Sequence, residues 1–451
     1  MKPLFHLTGA ASRWADTRAS AIIVWVLRVV VGCTFIFSGL AKAIDLWGGC
    51  YKFTEYFNAF GWTSMVPLAM AFAFALALAE FLLGLFTLTG CYRRGTPVLL
   101  TLMMLVMLPL TAWLWHTNAI ADCGCFGDAV KLTNGQTFAK NLLLLPAIVY
   151  LLLFNRRVHG IYGPAVNWAV ALLGTLYVTA IGAIGYLEQP VVDFRAYPVG
   201  SRIAAVSDTD NNDQDYLFTY EKDGHQQDFT IDNLPDDDSG WTYVDRHLRK
   251  EAAAKIPDII HQPLAVFDHG SEVTEEVLPE SQDVMIFTFT DLADTNLAFS
   301  FNLNELAERA QQQGVQAWAA VDAPDSIMAR WADESHARYP LYTIDDTDIK
   351  SLARGNPAVV YVHQGHVAWK RTLASLDSAR ISDKSLPVGQ VGNDGHNGHT
   401  VLTSITLLLL IMLILLLVLN RTHVAVVAVA RLFKKKPKLP AAEQQDDAPQ
   451  E

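Results

Sequence analysis

The chain has 451 residues, of which 51% are hydrophobic, and its 34 basic and 46 acidic residues give a net charge of −12 at pH 7. This acidic balance argues against nucleic acid as a partner, and the length predicts more than one domain. Apolar residues crowd positions 20–190 and 400–420, whereas the segment between them is polar and acidic. The composition therefore predicts a membrane region joined to a separate polar domain.

Six apolar segments are long enough to cross a bilayer, whose hydrocarbon core requires about 20 apolar residues per helix. The first segment starts late, contains Arg28 and lacks a small-residue cleavage site, which is typical of an anchor and not of a removed signal peptide. The sequence therefore predicts a multi-pass protein embedded in a lipid bilayer. The six segments are residues 20–44, 65–90, 96–117, 137–155, 164–187 and 400–419.

Basic residues predict the orientation, because short loops rich in Lys and Arg remain in the cytoplasm. Every basic loop falls on the same side as the N-terminus, including Arg93, Arg94, Arg156, Arg157 and the run Lys434, Lys435 and Lys436. Both termini are therefore predicted to be cytoplasmic. Residues 45–64, 118–136 and 188–398 are predicted to face the outside of the cytoplasmic membrane.

Two charged residues fall inside the first two predicted spans. Arg28 and Glu80 lie at a similar predicted depth, where a lone charge is costly, so we expect them to pair in the bundle interior. Besides this structural role, the pair is a candidate for binding a membrane quinone or for a proton path. Lys42 and Asp45 follow at the end of the first span, where snorkelling and helix capping account for them.

The segment "IADCGCFGD", residues 120–128, places Cys123 and Cys125 one residue apart between two apolar runs. Outside the cytoplasm a disulfide is the default state, and a bond across Gly124 closes a strained loop, which favours thiol exchange. Cys50 is the third cysteine on this side, either as a resolving thiol or as part of a stable disulfide. A structural disulfide and a soft-metal site remain alternatives, although neither CxxC nor His spacing supports a metal. Lys140 enters the fourth span nearby, either to favour a thiolate or as an interfacial anchor.

Residues 283–390 alternate between predicted strands and helices. The strand "DVMIFTFT" precedes a helix that ends at Gly314, and a later antiparallel hairpin turns at Gln364–Gly365. This order resembles the thioredoxin fold, and Asn356–Pro357 lies where that family keeps a cis-proline. The family carries Cys-x-x-Cys after the first strand, whereas this chain has "TDLADTNLAFS" and no cysteine in the domain. The resemblance therefore implies a domain without thiol chemistry of its own, used for docking or structure. Residues 216–231 are a predicted hairpin upstream.

The motifs "RVVVGCTFIFSGLAKAIDLWG", "AEFLLG" and "DCGCFGD" occur in this order within residues 20–155. They resemble the DoxX/MauE family of four-helix membrane proteins, of which one bacterial subfamily adds a fifth helix and a cysteine-free thioredoxin-like domain. MauE-type proteins are associated with the maturation of a disulfide-rich enzyme subunit outside the cytoplasm. The bundle also resembles vitamin K epoxide reductase, which passes electrons from thiols to a quinone. The resemblance thus implies thiol or quinone chemistry in a bacterial inner-membrane protein whose thioredoxin-like domain is periplasmic.

We therefore expect an α-helical membrane bundle, with a four-helix DoxX/MauE-like core and two further transmembrane helices, carrying an extracytoplasmic α/β thioredoxin-like domain. The predicted parts are the four-helix core at 1–160, a fifth helix at 161–190, a linker with a short hairpin at 191–282, the thioredoxin-like domain at 283–390, a sixth helix at 400–420 and a basic, then disordered tail at 421–451.

The leading functional hypothesis is thiol–disulfide or quinone-linked redox chemistry on a periplasmic client protein. In it Cys123 and Cys125 exchange, Cys50 resolves, Lys140 favours the thiolate, and the thioredoxin-like domain docks the client. The alternative hypothesis is a non-enzymatic assembly or scaffold protein whose CGC loop holds a structural disulfide.

Overall fold

The computed structural model describes residues 14, 17–120, 122–155, 158, 160–203, 216–222, 225–229, 233, 241–248, 264–393, 395 and 398–434. Arg156, Arg157 and the predicted disordered tail from residue 435 onward lie outside the described residues.

Six helices are long and apolar enough to cross a membrane, which confirms the multi-pass prediction. The first six helices in chain order are α1 (Arg18–Ile44), α2 (Leu46–Ala59), α3 (Ala69–Thr89), α4 (Gly95–Thr117), α5 (Asn134–Leu153) and α6 (Asn167–Leu187). All but the short α2 are among the six candidate spans, and a 3-10 turn at Thr63–Leu68 extends α3. Helix α2 lies in the segment between the first two predicted spans. The Asp45 side chain caps its first turn by accepting a hydrogen bond from the Gly48 amide at 2.9 Å.

Helices α1 and α3 pack antiparallel in close contact, and glycines set their register. A Cβ atom on Gly39 would lie 2.3 Å from the Phe81 backbone nitrogen, and one on Gly84 would lie 2.5 Å from the Ile36 backbone nitrogen. Glycine alone permits the two backbones to approach this closely, as in other membrane helix pairs built on small residues. Helix α4 packs mainly on α5, and α6 covers α3 and α1.

The thioredoxin-like domain is built on a mixed sheet of seven strands, the fourth to tenth in chain order. They are β4 (Phe267–Asp268), β5 (Ser271–Glu272), β6 (Val284–Phe289), β7 (Gln316–Val321), β8 (Leu341–Thr343), β9 (Ala358–His363) and β10 (His366–Thr372). The strand order in the sheet is β10-β9-β6-β7-β8-β4-β5. Strands β6, β7 and β8 run parallel, and β9 joins β6 antiparallel. The helices are α7 (Thr274–Val277), α8 (Ser300–Gln312), α9 (Asp325–Ser335), α10 (Asp346–Leu352) and α11 (Ser378–Ser382).

Two apolar cores cover the two faces of this sheet, because every residue of β6 is buried. Phe287 and Trp331 belong to one core, and Ile286 and Trp318 belong to the other. The predicted strand and helix order agrees with these elements, and the Asn356–Pro357 bond is cis as expected. The second core also contains Leu264, Val266, Val277 and Leu278. The packed domain therefore begins before the predicted start at residue 283.

The structure describes two further parts of the chain. The predicted upstream hairpin is formed by β1 (Tyr216–Lys222) and β2 (His225–Phe229), and β3 (Thr242–Leu248) adds an unpredicted third strand beside β1. Helix α12 (Gly398–Lys434) returns along α6, where Tyr177 and Thr406 hydroxyls lie 2.9 Å apart. Many of the α12 side chains that the structure describes are both exposed and apolar, among them Leu407, Leu408 and Ile411, as a lipid-facing helix requires.

Candidate functional site

The loop between α4 and α5 brings the two predicted thiols together. The sulfur atoms of Cys123 and Cys125 lie 3.1 Å apart, and both cysteines are free. Gly124 between them has a φ of +65°, a left-handed conformation that glycine adopts without steric cost. The predicted bend at this glycine is therefore what turns both side chains to the same side of the loop.

A buried polar cluster from α1 and α3 anchors the loop from below. Lys42 Nζ donates to Glu80 Oε2 at 2.7 Å, to Ser38 Oγ at 2.9 Å, and to the carbonyl oxygen of Cys125. Ser38 Oγ lies 2.6 Å from the same carbonyl and 2.7 Å from Glu80 Oε2. Ser38, Lys42 and Glu80 are each less than 9% exposed, so the ammonium and the carboxylate neutralise each other away from water.

The predicted Arg28–Glu80 pair is wrong, as is the snorkelling of Lys42. Arg28 donates to the carbonyl oxygens of Thr87 and Leu88, at 3.0 and 2.9 Å. The register set by the glycine contacts places Arg28 level with Leu88, which is eight residues, or about 12 Å along the axis, beyond Glu80. Similar predicted depths were therefore not enough to bring the two charges together, and Lys42 reaches Glu80 instead.

Helix α2 holds the loop from another side. The Tyr56 hydroxyl donates to the carbonyl oxygen of Cys123 at 3.2 Å, and Lys52 Nζ lies 3.4 Å from Asp122 Oδ1. Lys52 and Tyr56 are one helical turn apart and share one face of α2. Cys50 precedes them by two and six residues, which places it on a different face, because only residues three or four apart are neighbours on a helix.

Among the described residues no hydrogen bond joins Cys50 to Cys123 or Cys125, so Cys50 as the resolving thiol stays a prediction. Burial raises the pKa of the Cys50 thiol despite a hydrogen bond from Thr54, so this sulfur is not activated as a thiolate. The two CGC cysteines are the pair that the fold brings within reach of each other.

The two thiols of the CGC loop differ in acidity. The hydrogen bond from the Cys123 thiol lowers the pKa of Cys125 to about 6, with help from the Lys140 and Lys42 charges and against the effect of burial. The same hydrogen bond and burial raise the pKa of Cys123. Lys140 lies beside the loop as predicted, with Nζ 4.2 Å from the centre of the Phe126 ring. Cys125 is consequently the thiolate near neutral pH, and Cys123 is its hydrogen-bond donor.

A small cavity of about 30 Å³ borders Cys125 on the side of the membrane helices. Its wall combines polar groups with adaptable apolar side chains, among them Glu80, Lys140, Asn141, Met103, Met104 and Met107. A space of this size holds about one or two water molecules. Arg28 of α1 lies beside the other end of α3, and it is not among the residues that line this cavity. Among the residues that the structure describes, no group of three or more His, Cys, Asp or Glu side chains suits a metal ion.

An arginine of the thioredoxin-like domain completes the surroundings of the loop. The Arg354 side chain lies 2.5 Å from Asp45 Oδ2 and 2.9 Å from Asp128 Oδ2, and Asp128 is the last residue of the "DCGCFGD" motif. Sequence reasoning missed Arg354, Asp128, Ser38 and Tyr56. The signal that was available is an acidic residue on each side of the cysteines.

Comparison with known proteins assigns the membrane region. Residues 20–154 match the family described as Methylamine utilisation protein MauE, and residues 214–250 match a Domain of unknown function (DUF8463). The membrane region is thus MauE-like, as the motifs implied. No curated protein matches the sequence.

One similar solved structure is the bacterioferritin comigratory protein of Xanthomonas campestris, described for its alkyl peroxide reduction activity. It is 11% identical, with 32% of this chain and 90% of that chain covered, and the TM-score is 0.19. With a score this low, the description of the C-terminal domain as thioredoxin-like depends on its own sheet order and cis-proline.

Proposed function

We propose that this protein is a membrane thiol–disulfide oxidoreductase whose reactive pair is Cys123 and Cys125, facing the outside of the bacterial cytoplasmic membrane. The observation that carries the proposal is the pair of thiols 3.1 Å apart, one of them with a pKa lowered to about 6. Thiol–disulfide exchange proceeds through the thiolate, so a stabilised thiolate favours this chemistry. A thiol with only a structural role gains nothing from being ionised.

The proposed direction is oxidation of a client dithiol. A thiolate with a low pKa stabilises the reduced state of the pair, which makes its disulfide a stronger oxidant. A client thiolate attacks Cys123 Sγ of the Cys123–Cys125 disulfide, and Cys125 leaves as the thiolate. The second client thiolate then attacks the client sulfur of the mixed disulfide and releases Cys123. The client gains a disulfide, and the pair takes up two electrons and ends as one thiol and one thiolate.

Lys42 and Lys140 supply the positive charge that makes Cys125 the better leaving group, since the thiol with the lower pKa leaves faster. Lys42 also holds the Cys125 carbonyl oxygen, so charge and position come from the same side chain. In this proposal Cys50 has no part in exchange, and the thioredoxin-like domain, which has no cysteine, keeps the client near the loop.

Regeneration of the disulfide requires a two-electron acceptor, and a membrane quinone is the class that we propose. The cavity beside Cys125 has suitable chemistry, because Glu80 and Lys140 face unbranched methionines that adapt their shape. At about 30 Å³ it is smaller than a quinone ring. Of the two residues predicted to bind a quinone, Glu80 lines this cavity and Arg28 does not.

A single-turnover assay tests the proposal without an identified client or acceptor. The full-length protein is purified, oxidised and mixed with a reduced dithiol peptide, and peptide disulfide is counted per protein. We expect close to one disulfide per protein for the native chain and for Cys50→Ser, and none for the Cys123→Ser, Cys125→Ser double variant. Equal yields from the double variant and the native chain would refute the proposal.

The second candidate is a scaffold protein in which a Cys123–Cys125 disulfide only fixes the loop. The anchoring of both cysteine carbonyl oxygens, by Lys42 and by Tyr56, favours it, because such a loop is already held for a structural purpose. The two functions differ in the yield of peptide disulfide, which is zero for the scaffold even with both cysteines present.

A further inference from the structure

The surface around the cis-proline of the thioredoxin-like domain lies against the membrane bundle. Arg354 is three residues before Pro357 and is 4% exposed. Its guanidinium donates to both carboxylate oxygens of Asp45, and one of its nitrogens also reaches Asp128 at 2.9 Å. A planar guanidinium suits such multiple contacts with carboxylates, and a lysine does not reproduce them.

The main chain of Arg354 is held as well. The Gln189 side chain, two residues after the end of α6, accepts from the Arg354 amide at 3.0 Å and donates to its carbonyl oxygen at 2.6 Å. Under the guanidinium lies the ring of Tyr51 from α2, with its centre 5.3 Å away, and Lys350 Nζ lies 4.9 Å from the same ring. The arginine is therefore fixed through both its backbone and its side chain.

The neighbouring strand extends this contact to the end of α6. Thr372 donates to the Leu187 carbonyl oxygen, Arg371 pairs with Glu188, and Lys370 Nζ lies 2.6 Å from Asp193 Oδ2. The Lys370 and Asp193 side chains are only 2% and 13% exposed, and the pairing of desolvated charges specifies one arrangement of the two partners.

We infer that the cis-proline face of the thioredoxin-like domain is the docking surface for the protein's own bundle, and that Arg354 is a positioning residue that holds the CGC loop through Asp128. The inference rests on the proposed function, because it gives the domain its role at the same thiol pair. A client protein then meets the domain on other faces.

The mechanism of positioning is two-point support of the loop. Lys42 fixes the Cys125 carbonyl oxygen, and Arg354 fixes Asp128 three residues later. Between them the Gly127 amide donates to the Gly124 carbonyl oxygen at 3.1 Å, so the segment forms a closed turn. Loss of one support lets Cys125 move away from the groups around it. The charged ones are Lys42 on α1, Glu80 on α3, Lys140 on α5, Asp122 on the loop and Lys52 on α2, and the neutral one is the Tyr56 hydroxyl on α2.

The pH profile of thiol alkylation is the first test. Cys125 of the reduced full-length protein is alkylated with iodoacetamide, and its rate is followed by mass spectrometry from pH 5 to pH 9. The pH at which the Cys125 alkylation rate is half-maximal reports the pKa of this thiol. For Arg354→Lys we expect this midpoint to rise from about 6 in the native chain toward the ordinary thiol pKa of about 8.5. Arg338→Lys is the matched control, because it changes an exposed arginine paired with Glu308 on the same domain. A native midpoint in Arg354→Lys would overturn the inference.

Carboxyl labelling of the unsubstituted chain is the second test, and it needs no variant that folds poorly. We expect carbodiimide coupling of an amine to Asp45 to be at least tenfold slower than to Asp325, whose side chain is 78% exposed. Equal rates at the two positions would overturn the docking. Since labelling involves no thiol, this result is independent of whether the CGC pair exchanges disulfides.

Discussion

Glu80 of α3 forms an ion pair of 2.7 Å with Lys42 of α1, directly below the carbonyl oxygen of Cys125. The pair joins the membrane helices to the loop that carries the thiols. Because both side chains are less than 10% exposed, bulk water cannot replace a lost partner.

Removing the Glu80 charge is therefore expected to destabilise the bundle. Glu80→Gln leaves the Lys42 ammonium buried without a counter-ion, which costs about 3–5 kcal/mol. We expect a lower unfolding temperature by tryptophan fluorescence in detergent. Glu55→Gln is the control, since Glu55 is 45% exposed and pairs with Lys52 at the surface. An unfolding temperature for Glu80→Gln equal to that of the control would contradict the buried pair.

This pair also marks the limit of reasoning from the sequence. Span positions depend on the local density of apolar residues, so all six were predicted. The partner of Glu80 depends on helix register, which Gly39 and Gly84 set through backbone contacts that no hydropathy pattern contains. A prediction based on depth alone therefore chose Arg28.

The candidate site likewise contains contacts that the sequence predicts and contacts that it does not. The bend at Gly124 and the closeness of Cys123 and Cys125 follow from two residues in one short motif. Arg354 and Asp45 are 309 positions apart and meet only because the domain docks on the bundle. The hydrophobic pattern of the strands predicts the domain, but it contains no information about which face of the domain docks.

Lys140 is expected to contribute to the acidity of Cys125. Lys140→Met keeps much of the side-chain volume and removes a positive charge, which disfavours the thiolate, so the pKa of Cys125 should rise from about 6. The measurement is the pH midpoint of Cys125 alkylation. Lys384→Met, at an exposed position of the thioredoxin-like domain, should leave the midpoint unchanged. If both variants keep the native midpoint, Lys140 is only an interfacial anchor.

The reduction potential of the CGC pair separates exchange from a structural role. Structural disulfides resist reduction down to potentials below about −300 mV, whereas exchanging pairs titrate at higher potentials. We expect the Cys123–Cys125 bond to titrate well above that limit, by differential alkylation and mass spectrometry across glutathione and dithiothreitol buffers. Cys50→Ser should not alter the midpoint. A bond that opens only in strong reductant would favour the scaffold function.

Acidification is expected to weaken the attachment of the thioredoxin-like domain through Asp193. Burial alone would raise the pKa of this carboxyl, but Arg195 and Lys370 hold the pKa well below its usual range. A carboxyl with a lowered pKa in the folded state contributes stability above its unfolded pKa of about 3.9, and that stability is lost as the pH falls further. The pKa of Asp45 is also held below its usual value, against burial, by Arg354.

We therefore expect the unfolding temperature of the domain to fall as the pH decreases from about 4. In Asp193→Asn the unfolding temperature should be lower at pH 7, because Arg195 and Lys370 lose their counter-ion, and the decline in acid should be shallower. Asp333→Asn, at an exposed position of α9, controls for the general effect of losing a carboxylate. The measurement is differential scanning fluorimetry between pH 7 and pH 3. If the unfolding temperature of Asp193→Asn falls in acid as steeply as that of the native chain, other carboxylates are responsible for the decline.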